Sequence, residues 1–269
     1  MAQSIPHEPG GLYRVEHIMG MPVGIDLRDQ EIAPEVLDRA FDWFRWVDST
    51  FSTYLPDSEI SRINRGLLTP SQAHPDVQSI LKRCEELRIE TGGFFDIQTS
   101  NLPLLLTGAS GATVRSGIDP SGLVKGWSVD RAGEILDMAG ARNYSINAGG
   151  DIRVRGGALP DNAWRVGIQH PLEHDKIATV IEITDLTVAT SGAYARGDHI
   201  IDPHTGSPVS GVLSVSVVGT DLATADAYAT ALFAMGADGP AWTARLFGYE
   251  AMIILEDHTV LSTTWFPSV

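Results

Sequence analysis

Two oxygen-bearing side chains lie four residues apart in the C-terminal third of the chain. Asp226 and Thr230 belong to an Ala-rich segment, 223–236, that predicts a helix, so both side chains project from one face. A carboxylate and a hydroxyl suit partial ligation of a hard cation such as Mg²⁺, which keeps positions open for phosphate. The same spacing suits an Asp favoured by the helix dipole and a buried Thr, and alone it favours that structural explanation.

Glycines accompany two further candidate sites. Lys125 follows a Gly-containing turn and precedes Gly126 at a predicted helix start, where backbone amides and an ammonium could face a phosphate. The G-K-[ST] ending of a P-loop is missing, so an exposed lysine is the plain alternative. In the segment Asn147–Asp151, adjacent glycines permit positive φ angles and close approach of a ligand. A simple hairpin turn would need the same glycines.

A histidine and a serine lie in or beside a loop predicted over 191–211. His199 could act as a general base near neutral pH, or it could be a histidine satisfied at a strand edge. Ser191 is not part of a G-x-S-x-G elbow, which argues against a hydrolase nucleophile. The chain also has no G-x-G-x-x-G after a strand, which argues against a Rossmann dehydrogenase.

The composition narrows the classes of ligand and cofactor. The 269 residues carry a net charge of −15, which repels nucleic acid, so an anionic ligand would need a local cation or a metal. The single cysteine, Cys84, excludes an intramolecular disulfide and a multi-Cys zinc site. Cys84 follows Val77 and Ile80 at helical spacing, which predicts a small buried side chain rather than a nucleophile.

The elements that must position these residues follow from periodicity and from turn signals. Apolar spacing and capping residues predict helices over 32–49, 76–91 and 223–236, a short helix capped by Ser58, and a Gly-containing turn leading into a helix over 119–139. Apolar runs predict strands over 12–27, 143–156, 164–169, 177–184, 186–190, 212–218, 250–256 and 258–264. Helices and strands mix without a regular βαβ rhythm, which predicts an α+β fold.

The chain as a whole shows no obvious division. It has no repeat and no low-complexity linker, so we expect one domain over residues 1–269. No stretch approaches the roughly 18 to 20 apolar residues of a membrane span. The N-terminal segment lacks a basic region followed by an apolar core, so we expect no secretory signal and a cytoplasmic location. A chain whose signal had been removed would look the same.

Taken in order, eight segments between Phe51 and Gly236 resemble the motifs of the ApbE-type FAD:protein FMN transferases. They read FSTYLPDSEISRIN, TGGFFD, DPSGLVKGWSVDRA, NAGGDIRVRG, WRVGIQHP, TVATSGAY, HIIDPHTGSPVSG and SVSVVGTDLATADAYATALFAMG. The resemblance implies a T-fold-like α+β architecture with mixed or antiparallel sheets and an FAD cleft between two lobes. It also implies an enzyme that binds FAD with Mg²⁺ and transfers the FMN part to a Thr or Ser hydroxyl of an acceptor protein, releasing AMP.

The resemblance also implies a role for each matched residue. The metal ligands would be Asp226, Thr230 and the backbone carbonyl of Val124, and Lys125 would act near the phosphates. His199 would activate the acceptor hydroxyl. The FAD-contacting residues would be Tyr54, Ser58, Asp96, Lys125, Asn147, Gly149, Gly150, Asp151, Ser191 and Gly192.

Several aspects of the function remain open at this point. The same residues would suit an FAD pyrophosphatase that yields FMN and AMP, or an FAD-binding protein without catalysis. The expected acceptor carries an S/T-G-A-T-like motif, and the chain is compatible with a homo-oligomer. The chain's own Ser110–Thr113 matches that motif, but Thr107 replaces the usual preceding acidic residue, so we expect no efficient modification of Thr113. The segment Ile97–Ile118 is short, as in compact family members.

Overall fold

An eight-stranded antiparallel sheet forms the centre of the protein. The computed structural model describes residues 11–99, 117–158, 162–173, 175–192 and 201–267. The sheet order is β1-β2-β5-β6-β9-β10-β11-β12. Its strands are β1 (Leu12–Ile18), β2 (Met21–Leu27), β5 (Tyr144–Ala148), β6 (Asp151–Arg155), β9 (Thr187–Gly192), β10 (Val212–Gly219), β11 (Glu250–Leu255) and β12 (Val260–Ser262). Two separate ribbons pair β3 (Gln98–Thr99) with β4 (Gly117–Ile118), and β7 (Trp164–Gln169) with β8 (Ile177–Ile183).

Five helices agree in type with the sequence-based predictions. They are α1 (Glu35–Phe51), α2 (Glu59–Asn64), α3 (Pro75–Glu90), α4 (Ser121–Met138) and α5 (Leu222–Ala234), and the short α6 (Gly239–Trp242) was not predicted. The predicted start of α1 at residue 32 is wrong, because Pro34 occupies the N-cap and the helix begins one residue later. The α+β fold class is confirmed. The single domain and the FAD cleft between lobes stay predictions.

The two faces of the sheet are covered by different elements, because successive strand residues point to opposite sides. Strand β6 illustrates this alternation. Ile152 and Val154 pack in a cluster with Trp164 and Ile181 of the β7–β8 ribbon. Asp151 and Arg153 instead pair with Lys125 and Asp130 of helix α4. Charged side chains of β6 therefore meet charged side chains of the helical layer.

The helical layer builds the larger core. Helices α1, α4 and α5 pack with β2, β5 and β10 in one cluster, which includes Phe41, Phe44, Val129, Tyr144, Ile146, Val215 and Leu232. Burying side chains of this size supplies roughly 1.5–3 kcal/mol each.

Within the described ranges, no helix combines the length and apolar character needed to cross a membrane.

Candidate functional site

The ammonium group of Lys125 lies between two buried carboxylates from different elements. Its Nζ is 2.7 Å from Asp151 Oδ2 in β6 and 3.5 Å from Asp226 Oδ1 in α5. The two carboxylate side chains are 1% and 5% exposed, whereas the Lys125 side chain is 22% exposed. Two buried carboxylates are costly without a cation, so Lys125 is required to compensate them, and its partial exposure leaves room for a ligand.

Lys125 lies within helix α4 rather than at the turn expected before it. Helix α4 begins at Ser121 with Pro120 at its N-cap, which corrects the prediction of a Gly-containing turn over the preceding residues. The prediction that backbone amides near Lys125 face a phosphate is therefore wrong, because amides in the helix interior bond to carbonyls four residues back. What α4 presents at this position is the Lys125 side chain. Val124 directly precedes it and is buried.

A two-residue hairpin turn places Asp151 at the start of β6. Gly149 and Gly150 have φ angles of +60° and +105°, which favour glycine, and they connect the paired residues Ala148 and Asp151. The Asn147 side-chain oxygen accepts a hydrogen bond from the Gly150 amide at 3.0 Å. The prediction of a hairpin turn in this segment is thus confirmed. The same turn positions Asp151 beside Lys125.

The surroundings of Asp226 leave one carboxylate oxygen without a hydrogen bond. Burial raises the pKa of Asp226 above its ordinary value and the Asp151 charge raises it further, whereas Lys125 and the Gly126 amide lower it. Asp226 Oδ2 is buried and accepts no hydrogen bond from the part of the chain that the structure describes. A buried carboxylate oxygen without a partner is suited to a cation.

One helical turn beyond Asp226, the Thr230 hydroxyl of α5 meets the Ser191 hydroxyl of β9. Thr230 Oγ1 is 3.5 Å from Ser191 Oγ of β9. The prediction that Ser191 and Gly192 lie in a loop is wrong, because β9 continues to Gly192 and pairs with β10 there. A Cβ on Gly122 would lie 3.5 Å from Thr230 Oγ1 and 3.4 Å from the Phe95 ring. The segment after α3 thereby contacts this part of the site.

Three further residues were predicted to contact FAD, and the structure gives their local environment. Ser58 is buried and caps α2, accepting from the Ser61 amide at 3.0 Å and donating to the Ser52 carbonyl. Asp96 accepts from the Gln98 amide at 2.8 Å. The Tyr54 side chain is 83% exposed. The roles of Tyr54, Ser58 and Asp96 stay predictions. His199 and Ser110–Thr113 lie outside the described residues.

Sequence reasoning missed a contact made by His204. Its Nε2 lies 3.0 Å from the Gly92 carbonyl oxygen, and its ring lies 4.4 Å from the Phe94 ring. Asp202 closes the predicted turn by accepting from the His204 amide at 2.9 Å. The D-P-H-T-G pattern predicted the turn, but it did not indicate that His204 contacts Gly92. The two residues are more than a hundred positions apart in sequence.

The oxygen-rich character of the site limits what it can hold. Across the described ranges, no three His, Cys, Asp or Glu side chains cluster so that they could hold a metal ion. A metal beside Asp226 would therefore also need oxygens from hydroxyl groups, backbone carbonyls, water or a substrate. Hard cations such as Mg²⁺ accept this donor set and usually bind through one or two carboxylates plus substrate phosphates.

Comparison with known proteins gives consistent matches. Residues 19–113 and 111–253 match the ApbE family. A relative from Vibrio cholerae named FAD:protein FMN transferase is 30% identical over 234 residues, covering 71% of this chain and 70% of the relative. The solved structure of flavin transferase ApbE from Vibrio cholerae aligns with a TM-score of 0.77 at 26% identity, covering 94% and 96% of the two chains. An ApbE protein from Thermotoga maritima aligns with a TM-score of 0.78 at 26% identity, covering 94% and 97%.

Proposed function

The chain belongs to the ApbE family, and we propose that it transfers the FMN part of FAD to a Thr or Ser hydroxyl of an acceptor protein, releasing AMP. The observation that supports this most directly is the Lys125 ammonium between Asp151 and Asp226. These residues come from three elements and occupy the family's motif positions. Their arrangement offers a cation and a metal-binding carboxylate to a pyrophosphate.

We further propose a Mg²⁺ ion held by Asp226, Thr230 and the backbone carbonyl of Val124. The unpartnered Asp226 Oδ2 and an all-oxygen donor set support this assignment. When bound, Mg²⁺ would neutralise phosphate charge and the charge that grows on the AMP leaving group.

Lys125 binds phosphate oxygens in this proposal, and Asp151 holds the ammonium in place. A local cation matters because the chain carries a net charge of −15, which opposes binding of an anionic substrate. The proposed FAD contacts from Tyr54, Ser58, Asp96, Asn147, Gly149, Gly150, Ser191 and Gly192 rest on the family resemblance.

His199 is the proposed general base, again from the family resemblance. It would take the proton of the acceptor hydroxyl as the new oxygen–phosphorus bond forms and the bond between the FMN phosphate and AMP breaks. An unaided Thr hydroxyl is a poor nucleophile, so a base with a pKa near neutrality is suited to this step.

Mass spectrometry of a purified reaction tests the proposal. The chain is incubated with FAD, Mg²⁺ and a peptide containing S-G-A-T, beside a control peptide whose Thr is replaced by Ala. We expect only the S-G-A-T peptide to gain the mass of FMN minus water, with release of AMP. We expect Asp226→Asn, which keeps the side-chain shape, to abolish the reaction.

Two outcomes would contradict transfer to a protein. Free FMN and AMP with an unmodified peptide would indicate an FAD pyrophosphatase, in which water replaces the acceptor. FAD that is bound and unchanged in every reaction would indicate an FAD-binding protein without catalysis.

A further inference from the structure

A second, partly buried ion pair joins the same two elements as the first, with the acid and the base exchanged. Asp130 follows Lys125 by five residues in α4, and Arg153 follows Asp151 by two residues in β6. Arg153 Nη1 donates to Asp130 Oδ1 at 2.8 Å. Helix α4 therefore supplies the base of one pair and the acid of the other, and β6 supplies the two partners.

The Asp130 carboxylate also binds the first two residues of α5. It accepts from the Leu222 amide at 3.1 Å through Oδ1 and from the Ala223 amide at 2.9 Å through Oδ2. Amides in the first turn of a helix have no partner within the helix, and a negative charge is favoured there. One carboxylate thus joins α4, α5 and β6.

This connection is additional to the cap that α5 carries in its own sequence. Asp221 is the N-cap residue and accepts from the Thr224 amide at 2.9 Å. Because the helix start is already capped locally, the particular contribution of Asp130 is to fix α5 against α4. The shared carboxylate therefore fixes the position of the start of α5 relative to α4.

Close packing of the α4 and α5 backbones links the position of the α5 start to the position of Asp226. A Cβ on Gly126 would lie 2.3 Å from the Leu222 carbonyl oxygen, so the two helix backbones touch at this level. Asp226 lies about one helical turn beyond Leu222, and a helix moves as a rigid element over that distance. A shift at Asp130 therefore displaces the Asp226 carboxylate from α4.

We propose that Asp130, held by Arg153, is a positioning residue for the cation site, because it fixes α5 against α4 and so places Asp226 beside Lys125. The inference rests on the proposed cation site at Asp226. Partners that orient a ligand residue affect metal affinity about 10- to 100-fold when they are mutated.

Binding of Mn²⁺ alone, followed by electron paramagnetic resonance, tests this role without using activity. Asp130→Asn keeps one acceptor oxygen but removes the charge that pairs with Arg153. We expect its Kd for Mn²⁺ to rise at least tenfold over the unsubstituted chain. The matched control is Asp137→Asn on the same helix, whose carboxylate accepts from the Tyr144 hydroxyl at 3.0 Å. We expect this control to bind Mn²⁺ within about twofold of the unsubstituted chain, since Asp137 contacts Tyr144 of β5 and Arg155 of β6 rather than α5.

The controls separate failure of the inference from failure of the cation site. Absent Mn²⁺ binding in the unsubstituted chain, or unchanged binding in Asp226→Asn, would contradict the site itself. Loss in Asp226→Asn with unchanged binding in a folded Asp130→Asn would overturn the positioning role. If Asp130→Asn does not fold, Arg153→Lys decides by the same measurement. A Kd raised about threefold or more in Arg153→Lys supports the role, and a smaller change overturns it.

Discussion

A methyl group at position 126 would separate the two helices that carry the site. The Cβ of Gly126→Ala would lie 2.3 Å from the Leu222 carbonyl oxygen and 2.8 Å from Ala223 Cα, and both neighbours are backbone atoms. Contacts under 3.0 Å are essentially never seen for Cβ atoms, so α4 and α5 would have to move apart by at least 0.7 Å. No side chain can rotate away to relieve this contact.

The expected loss of stability follows from two opposing effects. Overpacking of a filled core costs about 1–3 kcal/mol, and contacts with backbone atoms favour the upper end of that range. Replacing Gly by Ala inside a helix returns up to about 1 kcal/mol. The net destabilisation is therefore about 2 kcal/mol. In a chain of this size each kcal/mol lowers Tm by about 2–4 °C, so we expect Gly126→Ala to melt about 4–8 °C lower.

Thermal unfolding followed by circular dichroism measures this effect against a control one turn earlier. A Cβ on Gly122 would make only ordinary contacts, the nearest at 3.4 Å, so Gly122→Ala should keep or slightly raise the Tm. We also expect weaker Mn²⁺ binding in Gly126→Ala, because α5 carries Asp226. A Tm for Gly126→Ala at or above that of the unsubstituted chain would refute the close helix contact.

Three further substitutions or reactions test separate parts of the fold. Burial raises the pKa of the Cys84 thiol to about 12, so the thiol stays protonated at about pH 8. Intact mass should show alkylation in denaturant only, and a native adduct would contradict the burial. Asn64→Ala removes two hydrogen bonds with the Ile118 backbone, at 2.9 and 2.8 Å, and should cost about 1–3 kcal/mol in urea unfolding. Tyr249→Phe removes the hydroxyl that donates to Asp221, and a Tm lowered by less than about 2 °C would argue against that bond.

Local sequence signals predicted most helices and strands because their physical causes are local. The Ala-rich segment that became α5 has helical propensity along its whole length, so Asp226 and Thr230 could be placed on one face. The hairpin at Gly149 and Gly150 followed from the need for positive φ angles. In both cases the nearest residues in sequence decide the conformation.

The errors occurred where contacts between distant segments decide the conformation. Gly122 was predicted to lie in a turn, yet it is helical and lies against Phe95 and Thr230. Ser191 follows an apolar run and was predicted to start a loop, but pairing with Val215 of β10 extends the strand. Neither partner can be identified from the residues nearby in sequence.

The two ion pairs between α4 and β6 favour one register of these elements. Five residues of a helix rise about 7.5 Å, and two residues of a strand rise about 6.6 Å. These rises match, so Lys125 and Asp130 meet Asp151 and Arg153 when the two elements run side by side in the same direction, with the long Lys125 and Arg153 side chains spanning the roughly 140° that five residues turn around a helix. The acid–base order along β6 is the reverse of that along α4, so sliding either element to pair Asp130 with Asp151 would place like charges together. The charge pattern thus favours the observed register of β6 against the helix that carries Lys125, although the sequence alone does not show that these two elements are neighbours.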